Sequence, residues 1–159
     1  ATGSLGHGFP IALGMALAAK INNKPYRTYA LLSDGECNEG TIWEAAMLAA
    51  SKKVGKLTTI IDYNKWQATG RSNQILALEP LNKKWKSFGW HVIEINGHDF
   101  SDMKIAFETC KSIKDKPSVI IAHTIKGKGI SFMEDDNNWH YKIPNEKEVT
   151  LAFKELENI

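Results

Sequence analysis

Apolar residues fall in short blocks along the chain, and their spacing sorts those blocks into helices and strands. Residues 9–21 are rich in alanine and leucine and apolar nearly all round, which predicts a helix buried on most sides. Asn22-Asn23-Lys24-Pro25 ends it. The short apolar run over 28–32 predicts a buried strand. After a polar stretch from Asp34 to Gly40, Thr41 is expected to cap a helix over 42–53, with Trp43, Ala46, Met47 and Ala50 on one face. The β-branched run 57–63 predicts a second strand, and 64–73 a loop. A third helix is expected within 80–88 and a third strand, by alternation, at 91–95. Gly97-His98-Asp99 reads as a turn, with Ser101 capping a helix that runs to Ile113. A fourth strand at 117–122, an irregular polar stretch over 124–144 and a helix over 146–156 complete the chain.

Strand and helix alternate throughout. That order predicts an α/β fold, a mainly parallel sheet with helices on both faces. Ligands in such sheets bind beyond the carboxyl ends of the strands, which singles out the loops after Leu32 and Tyr63. With 159 residues and no repeat or linker, the expectation is one domain over 1–159. The chain opens directly on the glycine-rich run Ala1-Thr2-Gly3-Ser4-Leu5-Gly6-His7-Gly8, so upstream residues are expected to be missing or carried by another chain.

Composition narrows the function classes. Twenty basic residues against 18 acidic ones give a net charge of +2, too balanced for a nucleic-acid or anionic-membrane partner. The two cysteines, Cys37 and Cys110, lie far apart and form no CxxC pair, which argues against a zinc motif or disulfide framework and for a reducing cytoplasm. No apolar run is long enough to span a bilayer.

The chemistry sits in the two strand-end loops. The first reads Ser33-Asp34-Gly35-Glu36-Cys37-Asn38-Glu39-Gly40, and the second Asp62-Tyr63-Asn64-Lys65-Trp66-Gln67-Ala68-Thr69-Gly70. A strand–helix–strand unit brings Asp34 and Asn64 to one edge of the sheet. A carboxylate, an amide oxygen and a loop carbonyl make a hard oxygen set suited to magnesium or calcium, and magnesium keeps positions for phosphate oxygens. Gly35 leaves room for a phosphate to approach its backbone, and the following helix start favours an anion. Taken singly, an aspartate and an asparagine in loops are ordinary turn formers; their joint placement after successive strands makes the case for a site.

Asp34-Gly35 followed thirty residues later by Asn64 resembles the thiamine diphosphate motif. Asp62, Asn64, Gln67 and Gly70 resemble transketolases, particularly those whose N- and C-terminal halves are separate chains. Gly3-Ser4-Leu5-Gly6-His7-Gly8 is similar to the family's Thr-Gly-Pro-Leu-Gly-Gln-Gly loop. Lys126-Gly127-Lys128-Gly129 and Trp139-His140 resemble the end of the same domain, so the resemblance runs from Thr2 to about Pro144. Ser33 and His7 depart from the family's more common glycine and glutamine, and the family's upstream substrate-handling histidines are absent.

The resemblance implies the thiamine-diphosphate-binding fold and a site. Asp34, Asn64 and the Trp66 carbonyl would hold Mg2+ (or Ca2+ or Mn2+), and Gly35 would contact the diphosphate. Gly3 and Leu5 would lie near the pyrimidine end. Glu39 resembles the glutamate that couples active sites across the dimer interface, and His140 a histidine reaching diphosphate and substrate; a surface histidine beside Trp139 is the plainer reading. In the family, the glutamate that activates the pyrimidine sits on a separate pyrimidine-binding domain. The expectation is therefore a subunit that transfers a two-carbon ketol unit between sugar phosphates, completed by a C-terminal subunit carrying that domain, in a dimer of such pairs. Two alternatives stay open: the 2-oxoacid decarboxylating or synthase branch of the same cofactor family, and a non-catalytic subunit of the same fold.

Other residues are set aside. Lys126-Gly127-Lys128-Gly129 lacks phosphate-loop spacing, and no GxGxxG follows a strand. Gly97-His98-Asp99 reads as turn and cap, Trp85, Phe88 and Trp90 as core, and 133–138 as a solvated loop. Nothing marks Cys37 as a nucleophile.

Overall fold

The structure, a computed structural model, describes residues 3–157. Its elements are α1 (Gly8–Ile21), β1 (Thr28–Ser33), α2 (Gly40–Ser51), β2 (Leu57–Tyr63), a short hairpin of β3 (Trp66–Gln67) and β4 (Gly70–Arg71), α3 (Ser72–Ile75), α4 (Leu81–Ser87), β5 (His91–Asn96), α5 (Phe100–Ser112), β6 (Ser118–His123) and α6 (Glu146–Leu156). Single 3-10 turns occupy Gly35–Asn38 and Asn137–His140.

Four strands form a parallel sheet in the order β1-β2-β6-β5. The central pair, β2 and β6, is almost wholly buried, as parallel strands covered on both faces must be. On one face α1, α2 and α4 enclose a core of Phe9, Leu13, Leu32, Ile42, Leu57, Ile61, Trp85 and Val119. Fully burying aliphatic side chains of this size contributes roughly 1.5–3 kcal/mol each. On the other face α5 lays Ala106 and Cys110 against Ile120, with Ile60, Ile93 and Ile95 around them. The α/β fold with helices on both faces is therefore as expected, and so is the aromatic core: Trp85 meets Phe9, Trp43 and Trp90, and Trp90 donates its indole N–H to the Ala46 carbonyl at 3.0 Å.

Several local expectations are corrected. α2 starts at Gly40, with Glu39 rather than Thr41 as its N-cap. Its buried face is Ile42, Ala45, Ala46 and Ala49, while Met47 lies outside. Asp99, not Ser101, caps α5, because its carboxylate accepts the Ser101 and Asp102 backbone N–H groups. α1 is buried on only one face: Ile11 and Ile21 are 64% and 77% exposed, since the sheet and α2 can cover only one side of a helix. The 64–73 segment holds a hairpin and a helical turn instead of a plain loop. Cys37 and Cys110 are both buried and free. Among the described residues, no helix is long and apolar enough to cross a membrane.

Candidate functional site

Parallel pairing of β1 with β2 in the register Leu32↔Ile61, Ser33↔Asp62 sends both strand ends out of the same edge of the sheet. The link continues past β1, because the Asp34 N–H donates to the Asp62 carbonyl at 3.2 Å. Asp34 and Asn64 thus leave adjacent strands side by side, as the sequence implied.

The Asp34 side chain is fully buried. Oδ1 accepts the Gly35 N–H at 2.9 Å, and Oδ2 accepts the Ser72 hydroxyl at 2.7 Å. The backbone of Lys65, from the second loop, also favours the charged form of this carboxylate. Burial pushes the Asp34 carboxyl above its ordinary range and the neighbouring charge of Asp62 adds to this, while Ser72, Gly35 and Lys65 oppose it. A buried carboxylate under that strain is a natural seat for a cation.

Asn64 turns Oδ1 to its own loop, accepting the Trp66 N–H at 2.9 Å, and Nδ2 donates to Asp62 Oδ2 at 3.3 Å. Asp62 is held in turn by the Thr124 hydroxyl. Trp66 lies in β3, paired with Arg71. The asparagine therefore shapes the turn as well as offering an oxygen. Each of these oxygens has a second lone pair for a metal. Among the described residues, no three His, Cys, Asp or Glu side chains gather around an ion, so a cation here would rest on one carboxylate, neutral oxygens and those of its ligand.

Gly35 lies under Gln67: a Cβ at this glycine would stand 3.1 Å from Gln67 Cγ. The Gln67 Nε2 is buried without a hydrogen-bond partner. An unmet donor next to the Gly35 backbone is what an anionic oxygen would satisfy, so the residues present fit a metal-bound diphosphate. The Gly35 N–H itself is turned to Asp34.

The glycine-rich loop docks on this centre. Gly6 has φ +79°, and its N–H donates to Glu36 Oε1 at 3.0 Å while its carbonyl accepts the Thr41 hydroxyl at 2.8 Å. A Cβ on Gly6 would lie 2.5 Å from Thr41 Oγ1 and 3.0 Å from Glu39 Cβ. Glu39 is exposed and packs against this glycine. Gly3 and Leu5 are exposed just before it, and His7 Nδ1 lies 2.9 Å from the Leu5 carbonyl oxygen.

The 133–138 stretch, expected as a solvated loop, is tied to the β3–β4 hairpin instead. Asp135 binds Arg71 through both carboxylate oxygens and accepts the Trp66 indole N–H at 2.8 Å. Asn137 donates to the Ala68 carbonyl at 3.1 Å, and the Arg71 guanidinium lies 3.7 Å over the Trp66 ring. His140, three residues on, is exposed; its ring lies against Tyr141, with Nδ1 3.4 Å from Lys126 Nζ. Cys37 is buried and its thiol is pushed up by burial, with Asp34 and Glu36 adding to the shift, so it is no nucleophile. Ser72, Glu36 and Asp135 were not singled out in the sequence: each acts on a partner thirty or more positions away, and no local spacing marks such a contact.

The family described as "Transketolase, thiamine diphosphate binding domain" matches residues 1–156. The chain is 46% identical to an apulose-4-phosphate transketolase subunit of Actinobacillus succinogenes, covering 99% of this chain and 56% of that one. It is 46% identical to 6-deoxy-6-sulfo-D-fructose transketolase subunit SqwG of Clostridium sp., covering 98% and 57%. The chain thus spans a little over half the length of the curated relatives it matches. Its fold superposes on transketolase from Campylobacter jejuni with a TM-score of 0.92 at 30% identity, over 98% of this chain and 26% of that one.

Proposed function

This chain belongs to the transketolase thiamine diphosphate binding family, and we propose that it holds the diphosphate of that cofactor through a magnesium ion on Asp34, Asn64 and the Trp66 carbonyl. Calcium or manganese would suit the same oxygen set. The observation that carries this reading is the fully buried Asp34 carboxylate, met by a donor from the loop after β2 and unmatched by any cationic side chain among the described residues. When bound, the cofactor supplies the nucleophilic carbon that makes and breaks bonds at a substrate carbonyl. The protein's part is to fix its orientation: Asp34 and Asn64 at the metal, Gly35 and Gln67 beside the diphosphate, Gly3 and Leu5 towards the pyrimidine end, and His140 over diphosphate and substrate. Glu39, packed on Gly6, would couple this site to its counterpart in a dimer.

The activity proposed is transfer of a two-carbon ketol unit between sugar phosphates or related sugars, a reading supported by the relatives named as transketolase subunits. Those names also support a partner chain, which would bring the pyrimidine-binding domain, and a dimer of such pairs. Mixing the two chains with thiamine diphosphate and magnesium should give transfer from a ketose phosphate to an aldose phosphate, with neither chain active alone. Decarboxylation of a 2-oxo acid without ketol transfer would move the chain to the other branch of the cofactor family. Cofactor binding with no reaction of either kind would leave it a non-catalytic subunit.

A further inference from the structure

A lysine-lined cavity lies where α1 and α2 both end, close to the starts of β1 and β2 and therefore at the end of the sheet opposite Asp34. It encloses about 280 Å³, lined by Lys20, Lys24, Lys53, Lys56 and Lys114 around a floor of Ala16, Ala19 and Val54. Its remaining lining, Asn23 and Gly55, is uncharged, so no lining residue is acidic. Five of the chain's eighteen lysines thus surround one small cavity in a protein whose overall charge is only +2.

The ammonium groups divide into two kinds. Lys20 Nζ donates to the carbonyls of Lys52 and Lys53, Lys56 Nζ to that of Lys24, and Lys114 Nζ to that of Lys111. The Lys20 and Lys56 bonds tie the end of α1 to that of α2 and the approach to β2, and the Lys20 and Lys114 bonds meet the partial negative charge at the C-termini of α2 and α5. That offsets about one unit of charge in all. The ammonium groups of Lys24 and Lys53 have no hydrogen-bond or ion-pair partner among the described residues, and none of the five is bridged to a carboxylate. Like charges crowded at a rim repel one another, and a multivalent anion relieves that repulsion.

We propose that this cavity binds a small oligophosphate, an anion with at least two linked phosphate groups, independently of any divalent metal. One phosphate would satisfy only some of the cations, whereas two or three linked groups reach around the rim. The apolar floor, with Ala16, Ala19 and Val54 each about 1% exposed, offers no competing polar contact.

Inorganic tripolyphosphate is the probe, titrated calorimetrically into the full chain with a chelator present and at physiological ionic strength. Saturable one-to-one binding is expected. Lys24→Ser combined with Lys53→Ser should weaken it by about tenfold or more. Both side chains are exposed and unpaired, so the fold should be unaffected. Lys83→Ser with Lys104→Ser removes the same charge elsewhere and should change affinity by less than about twofold. Asp34→Asn should leave this binding intact, which separates it from the metal-dependent site. No saturable binding, or equal weakening by both double variants, would overturn the proposal.

Discussion

The Ser72 hydroxyl and the Asp34 carboxylate, 38 positions apart, meet in a 2.7 Å hydrogen bond inside the protein. Asp34 leaves β1 and Ser72 opens α3, so this bond closes the second loop over the first. Ser72 itself is only 4% exposed. Removing the donor leaves a buried acceptor unmet, which costs about 1–3 kcal/mol and more where the group is charged. Ser72→Ala is therefore expected to lower the unfolding free energy by that amount in metal-free protein, read from the urea midpoint. An unchanged midpoint would show that the two groups do not depend on each other.

Gly6 occupies a left-handed conformation with no room for a side chain, since a Cβ would stand 2.5 Å from Thr41 Oγ1. Gly6→Ala combines the left-handed penalty of about 1–2 kcal/mol with that clash. The expected outcome is release of the glycine-rich loop: faster amide exchange at residues 4–8, with little change in the sheet. Exchange at wild-type rates would mean the loop is not held through Gly6.

The Arg71–Asp135 pair is largely open to solvent, with side chains 32% and 52% accessible, so screening leaves it little weight in global stability. Its effect is local, because Asp135 also holds the Trp66 indole. Asp135→Ala should leave the unfolding midpoint nearly unchanged while exposing 132–142 to proteolysis. A drop of several kcal/mol would show that the segment belongs to the cooperative core.

Glu94 carries the pH dependence most open to measurement. The His123 hydrogen bond, with a smaller aid from Asn82, holds its carboxyl below the ordinary 4.5, against the opposing effect of partial burial. The folded chain therefore binds this proton less readily than the unfolded chain. The stabilisation is present above pH 4.5 and is lost as pH falls through the lower folded value. Glu94→Gln should remove that part of the slope, so the stability difference between wild type and variant narrows on acidification below about 4.5. A constant difference across that range would contradict the coupling.

These contacts also mark what the sequence could and could not reveal. β1, β2 and their loops were legible because apolar runs end abruptly in Ser-Asp-Gly and Asp-Tyr-Asn, which is how a buried parallel strand stops at a site. The buried face of α1 and its exposed Ile11, Met15 and Ile21 were not separable, because apolar residues occupy both sides. Thr41 looked like a cap by its position before an apolar run, yet its hydroxyl serves Gly6, 35 residues earlier. Ser72 and Asp135 gave no signal, since a hydrogen bond across the fold leaves no periodic trace.

The central claim is that Asp34 grips a cation which in turn grips a diphosphate. The direct test is calorimetric titration of thiamine diphosphate into the chain assembled with the proposed partner chain, with and without magnesium, for wild type and Asp34→Ala. Circular dichroism would establish that the variant is folded. Magnesium-dependent binding in wild type, weakened by about a hundredfold or more in the folded variant, is the expected result. Equal affinity with and without magnesium, or an unaltered affinity in Asp34→Ala, would contradict it.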